Sequence, residues 1–319
     1  MNLRSVFLPL FFFLLFSCSD DEPNIISDKA ENYLNDVLDV MEANSINRYK
    51  IDWTDFRAKV FEKAIGAETI QDTYPGIREA LVMLDDNHSF FIKPDGSYVY
   101  VGLQCSGQNI TKQSLPENVG YVKVNSFSGS SNSEAAYSFA REIQDQIRNQ
   151  DHIEITGWIV DLRDNGGGNM WPMIAGIGPI LGEGIAGYFI DPDNNQASWG
   201  FENGSSVFNG NTVTQLSDSY ELIVPNPKVA ILLNSGIASS GEVVAISFIG
   251  RDNTKSFGSS TCGQSTSNRP FTFSDNSMLI LTADYLADRN KNLYGMPINP
   301  DLAVDSENII LNAVEWIQN

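Results

Sequence analysis

From residue 98 onward, short runs rich in β-branched and aromatic residues alternate with stretches of helical periodicity, and no other feature of the sequence restricts the fold as much. The β-rich runs fall at 98–103, 119–124, 159–162, 229–233 and 278–282, and residues 133–148, 171–181 and 241–250 read as helices between them. Strands alternating with helices predict a layered α/β core. Ahead of it, Tyr33, Leu34, Val37, Leu38 and Met41 recur at helical spacing within 29–44, as do Phe56, Val60 and Phe61 within 54–64. Pro75 suits a helix first turn, with Ile77, Ala80, Leu81 and Leu84 on one face behind it. The chain thus divides into a small helical subdomain at 29–93, a connector at 94–118 and a core at 119–319. Residues 191–213, rich in Asn, Gly and Ser, read as a long loop or a β excursion over the surface.

The N-terminus carries a different signal. Arg4 precedes an apolar run over 6–16 that is short for a membrane span and ends at Ser17-Cys18. Leu15-Phe16-Ser17-Cys18 resembles a bacterial lipoprotein cleavage box, so 1–17 are expected to be a signal peptide and Cys18 the lipidated residue. Residues 18–28 then form a tether, acidic at Asp20, Asp21 and Glu22, which resembles the surface-export signals of Bacteroidetes lipoproteins. The expected location is the bacterial cell envelope, on the outer membrane. Lys and Arg number 20 against 40 Asp and Glu, and a net charge of −20 repels phosphate backbones, which argues against nucleic acid as a partner. Neither the three cysteines nor the two histidines have metal-site spacing, and no cofactor is expected. An exported compartment permits Cys105 and Cys262 to pair, though sequence does not say whether they meet.

Two segments carry chemistry. Asn234-Ser235-Gly236-Ile237-Ala238-Ser239-Ser240-Gly241-Glu242 leaves an apolar strand, turns through small residues and enters an apolar helix. A serine at such an elbow is lifted clear of the backbone, and the next amide lies at a helix N-terminus, where unpaired N–H groups stabilise an oxyanion. The competing reading is a helix N-cap serine. In the second segment, Trp158-Ile159-Val160-Asp161-Leu162-Arg163-Asp164-Asn165 runs into Gly166-Gly167-Gly168, baring backbone amides beside whatever binds. The Lys-Ser/Thr pair of a phosphate-binding P-loop is missing, which leaves an oxyanion role.

Together, Asp161–Gly168 and Ala238–Glu242 resemble the C-terminal processing peptidases, or tail-specific proteases, whose relatives include the tricorn protease core and the interphotoreceptor retinoid-binding proteins. The resemblance implies a crotonase/ClpP-like α/β core and a peptidase acting on peptides or proteins. It points to Ser239 as nucleophile, Ser240 and Gly167 as oxyanion donors, and position 264 as the place of the general-base lysine. That position holds Gln264, a carboxamide unable to take a proton at neutral pH, so a bond to substrate or to the serine is expected of it instead. The tricorn-like branch takes its base from a segment of the type Leu-x-Asp-x-His-Ser, matched here by Leu84-Asp85-Asp86-Asn87-His88-Ser89. His88 is thereby implied as base. The acid of that branch lies late in the core, which points to Asp288 for orienting the imidazole. His152 has no comparable setting.

The processing peptidases usually insert a PDZ domain ahead of the core, and the connector at 94–118 is too short to be one, which weighs against capture of protein tails. The rival function on the same scaffold is a non-catalytic binder of an apolar ligand or peptide. An imidazole within hydrogen-bond reach of Ser239 distinguishes the enzyme from the binder.

Overall fold

The computed structural model describes residues 26–107 and 114–319. The expected signal peptide, Cys18 and most of the tether lie outside them. Three helices come first, α1 (Asp28–Asn44), α2 (Trp53–Glu62) and α3 (Tyr74–Met83), then the hairpin of β1 (Phe90–Ile92) and β2 (Tyr98–Tyr100). β3 (Val119–Lys123), α4 (Glu134–Arg148), β4 (Gly157–Asp161) and α5 (Met170–Leu181) follow. A meander comes next, β5 (Gly184–Ile190), β6 (Gln196–Glu202), β7 (Ser205–Phe208) and β8 (Asn211–Gln215). The chain ends with β9 (Lys228–Leu233), α6 (Ser240–Phe248), β10 (Thr254–Gly258), β11 (Thr266–Thr272), β12 (Met278–Asp288), β13 (Leu302–Ala303) and α7 (Ile309–Gln318).

The mixed α/β class expected from the alternation is the class observed. β13-β10-β9-β4-β3 form a parallel sheet, and its strands read as continuous hydrophobic runs because both faces are covered. Successive residues divide between the faces: Trp158 and Val160 of β4, with Val229 and Ile231 of β9, join the core under α4, α5 and α6. Ile159, Ala230 and Leu232 face α7 instead. Burying each such side chain contributes roughly 1.5–3 kcal/mol. Gly120 on β3 makes room for Trp158, since a Cβ there would stand 2.4 Å from the indole.

The second sheet is antiparallel, in the order β2-β1-β12-β5-β6-β7-β8, with β11 on the other edge of β12. The stretch 191–213 is therefore strand-rich, β6 and β7 among its elements, rather than loop. The β run expected at 278–282 extends to Asp288, because β12 has β11 along one edge and β1, then β5, along the other. The first run, 98–103, stops as a strand at Tyr100. Helices α1 to α3 share one hydrophobic cluster with Phe91, Leu279 and Leu281, so they are docked on this sheet. That docking brings the segment after α3 against β12. Thr282 on β12 donates its amide to Ser89 Oγ at 2.9 Å and accepts the Ile46 amide, also at 2.9 Å.

Candidate active site

Ser239 sits between the end of β9 and the start of α6 with φ 52° and ψ −122°, a region that costs a non-glycine residue about 1–3 kcal/mol. Neighbouring bonds hold it there. The Ser239 amide donates to Glu242 Oε2 at 3.1 Å, and the Ala238 amide donates to the Asn165 carbonyl at 3.0 Å. Glu242 is fully buried and also accepts Thr261 Oγ1 and the Gly263 amide, which ties the loop after β10 to the elbow. Burial pushes the Glu242 carboxyl up to about 7 against these bonds.

Ser239 lines the cleft, and the group it offers there is its Oγ. It lies 3.1 Å from His88 Nε2, across a sequence separation of 151 residues. The imidazole is buried, and burial lowers its pKa to about 4, so the ring is neutral at neutral pH. Its loop is held by Asp86, whose Oδ1 accepts the His88 amide at 3.0 Å and the Ser89 amide at 2.8 Å. Asp86 Oδ2 accepts Ser89 Oγ at 2.6 Å. Asp86 therefore orients the loop rather than the ring.

His88 Nδ1 meets Thr266 Oγ1 at 2.8 Å. The expectation of Asp288 in this role is corrected. Its Oδ1 accepts the amides of Asn290 and Asn292, and its Oδ2 accepts Asn292 Nδ2 and Tyr294 Oη. The carboxylate is consumed by the turn that follows β12. Thr266 was not legible from sequence: a threonine at a strand start is common, and only the β11–β12 pairing brings it beside the ring.

The glycine loop stands opposite the elbow. A Cβ on Gly167 would lie 2.9 Å from Ser239 Cβ and 3.0 Å from the Ser240 amide nitrogen, which requires glycine there. The Gly167 amide, expected to be an oxyanion donor, is instead turned onto Asn165 Oδ1 at 3.0 Å. The Ser240 amide, at the first position of α6, has no acceptor among the described residues, and Gly168 lines the cleft beside it. Ser240 Oγ donates to the Gly168 carbonyl at 2.6 Å, locking elbow to loop. Beneath the loop, Arg163 grips the buried Asp161 through Nε at 2.9 Å and Nη2 at 2.7 Å. Burial alone would raise Asp161, but Arg163 and Lys123 outweigh it and hold the carboxyl below its ordinary value.

Gln264 Nε2 donates to Tyr100 Oη at 2.8 Å, not to Ser239. The strap after β2 is tied to the same region by a disulfide between Cys105 and Cys262, with Cα atoms 5.6 Å apart. The cleft over Ser239 and His88 measures about 1010 Å³, with Phe90, Tyr98 and Tyr100 on its hairpin wall and Trp171, Phe189 and Phe208 among its other aromatic lining residues.

A hydroxyl on a strained elbow thus stands beside a buried neutral imidazole, with a glycine loop facing both. Residues 118–304 match the model of peptidase family S41, and the chain belongs to that family. It is 26% identical over 301 residues to the nisin-resistance protein of Lactococcus lactis subsp. lactis, covering 92% of this chain and 89% of the relative. It is 25% identical over 199 residues to the carboxy-terminal processing protease CtpA of Bacillus subtilis, 62% of this chain but only 37% of that protein. In fold it is similar to a lipoprotein from Streptococcus agalactiae, with a TM-score of 0.74 and 22% identity over 92% of this chain and 98% of the other.

Proposed function

We propose that the protein is a serine peptidase that hydrolyses peptide bonds with Ser239 as nucleophile and His88 as general base, in the manner of the lysine-free, tricorn-like branch. The 3.1 Å approach of His88 Nε2 to Ser239 Oγ carries this reading. Oγ attacks the scissile carbonyl carbon while Nε2 takes its proton. The negative charge that develops on the carbonyl oxygen is met by the Ser240 amide at the head of α6, with the glycine loop opposite. His88 then returns the proton to the leaving amine, and a water, deprotonated by the same nitrogen, hydrolyses the acyl-enzyme. In the tautomer protonated at Nδ1, Thr266 Oγ1 accepts that N–H and Nε2 is left free to take the serine proton.

A fluorophosphonate probe should label Ser239 in the wild-type protein and lose that label in Ser239→Ala. Labelling should also fall sharply in His88→Ala. Unchanged labelling in Ser239→Ala would overturn the assignment. Nisin belongs among the peptides assayed, given the similarity to the nisin-resistance protein along nearly the whole chain. The same proposal takes Cys18 as a lipid anchor to the cell envelope, so Cys18→Ser should move the protein from the membrane fraction to the soluble one.

A further inference from the structure

Beside Ser239 the cleft continues into a second compartment of about 400 Å³, which meets the aromatic one at Tyr100, Gly166 and Gln264. Its character is different. Among the described residues lining it Asp164 alone is charged, and Leu103, Gln104, Ser126, Tyr100 and Gln264 line it as well. We infer that this compartment selects a cationic side chain, Lys or Arg, in the substrate, close to the bond that is cut. The inference rests on Ser239 being the nucleophile.

Several observations place the carboxylate for that purpose. Asp164 has φ 64°, a left-handed conformation that Asp and Asn tolerate better than other side chains. Asn234 clamps it on both sides, accepting the Asp164 amide at 3.0 Å and donating Nδ2 to Oδ1 at 2.7 Å. Oδ2 accepts no hydrogen bond from the described residues, and the residue is exposed. Glycines let the chain close in around it: a Cβ on Gly107 would fall 1.7 Å from Oδ1, and one on Gly236 would fall 2.5 Å from it. Gly236 is three positions before Ser239, at most about 11 Å along the chain. A side chain reaching Asp164 therefore belongs to a residue within about three positions of the scissile bond. The net charge of −20 also favours the approach of cationic peptides. With the aromatic compartment on the other part of the cleft, the substrate class is a peptide carrying a bulky apolar residue and a basic one near the same bond.

The test uses the whole protein and peptides capped at both ends, so that only side chains supply charge. The peptides differ only in Lys, norleucine or Glu, scanned over three positions on each side of one cleavable bond. At one position kcat/KM should run Lys above norleucine above Glu, with Lys favoured about fivefold, the upper range for one partly solvated ion pair. The preference should shrink with added salt. Asp164→Asn, which keeps the left-handed backbone and the oxygen facing Asn234, should level the three peptides, and Asp164→Lys should favour Glu. A Lys preference equal in wild type and Asp164→Asn would overturn the inference while leaving the peptidase intact, as would turnover with no preference at all. Absence of both turnover and fluorophosphonate labelling would remove the peptidase reading, and the inference with it.

Discussion

Thr266 Oγ1 is the partner of His88 Nδ1, at 2.8 Å, in the position where a triad would place a carboxylate. A hydroxyl can accept Nδ1–H but brings no negative charge to stabilise an imidazolium, in keeping with the low pKa of the ring. Thr266→Val should lower kcat about tenfold, the worth of one hydrogen bond of about 1–1.5 kcal/mol, with KM little changed. Thr266→Ser should recover most of the loss. Steady-state kinetics of the two variants decide the matter, and a Val variant as active as wild type would remove Thr266 from the mechanism.

The pH dependence of activity should follow the buried imidazole. With the His88 pKa near 4, the base stays neutral well below pH 6.5, so the acid limb of kcat/KM for the free enzyme should lie near pH 4. A limb at 6.5 would mean that the ring is more hydrated in solution than its burial implies.

Stability should respond to the titration of His88 and of Glu242 with opposite signs. The unfolded chain binds a proton on His88 below about 6.5 and the native chain only below about 4, so this group's contribution is lost as pH falls from 6.5 to 4. Glu242, pushed from 4.5 up to about 7, holds its proton more tightly when folded, and its contribution is lost as pH rises from 4.5 through 7. The two slopes largely cancel between pH 4.5 and 6.5. In urea denaturation, His88→Ala should therefore lose stability with rising pH across that window, whereas Glu242→Gln should gain it. Identical pH slopes in the two variants would refute the assignment of these groups.

The disulfide between Cys105 and Cys262 closes a sequence separation of 157 residues, and its reduction should cost about 2–5 kcal/mol. Because Cys262 lies two residues before Gln264, and Leu103 accepts a bond from Tyr100, reduction should also loosen the wall of the second compartment. Thermal unfolding with and without a dithiol reductant measures the first effect. A Cys105→Ser variant as stable as oxidised wild type would show that the bridge adds nothing.

Much of the fold was readable along the chain because the signals are local. The continuous apolar runs of β4 and β9, the helical spacing of Tyr33 to Met41 and the small residues of the elbow each depend on neighbours within a few positions. Ser239, His88 and the glycine loop were likewise marked by their own segments. The meander at 184–215 was half-hidden, since its short polar strands are stabilised by cross-strand pairing rather than by their own composition.

The partner of a side chain is not a local property. Asp288 and Thr266 both sit on the long β11–β12 pair, and nothing in either segment tells which one faces His88. Pairing register and the docking of α1 to α3 on that sheet decide it, turning Asp288 into its own loop and Thr266 toward the ring. Whether Cys105 finds Cys262, and whether the Gly167 amide faces the cleft or Asn165, were decided in the same way. Sequence alone determined the α/β class and singled out the segments that carry the proposed nucleophile and base. Tertiary structure alone determined which groups touch, because a hydrogen bond needs atoms within about 3 Å and sequence spacing carries no such distance across 151 residues.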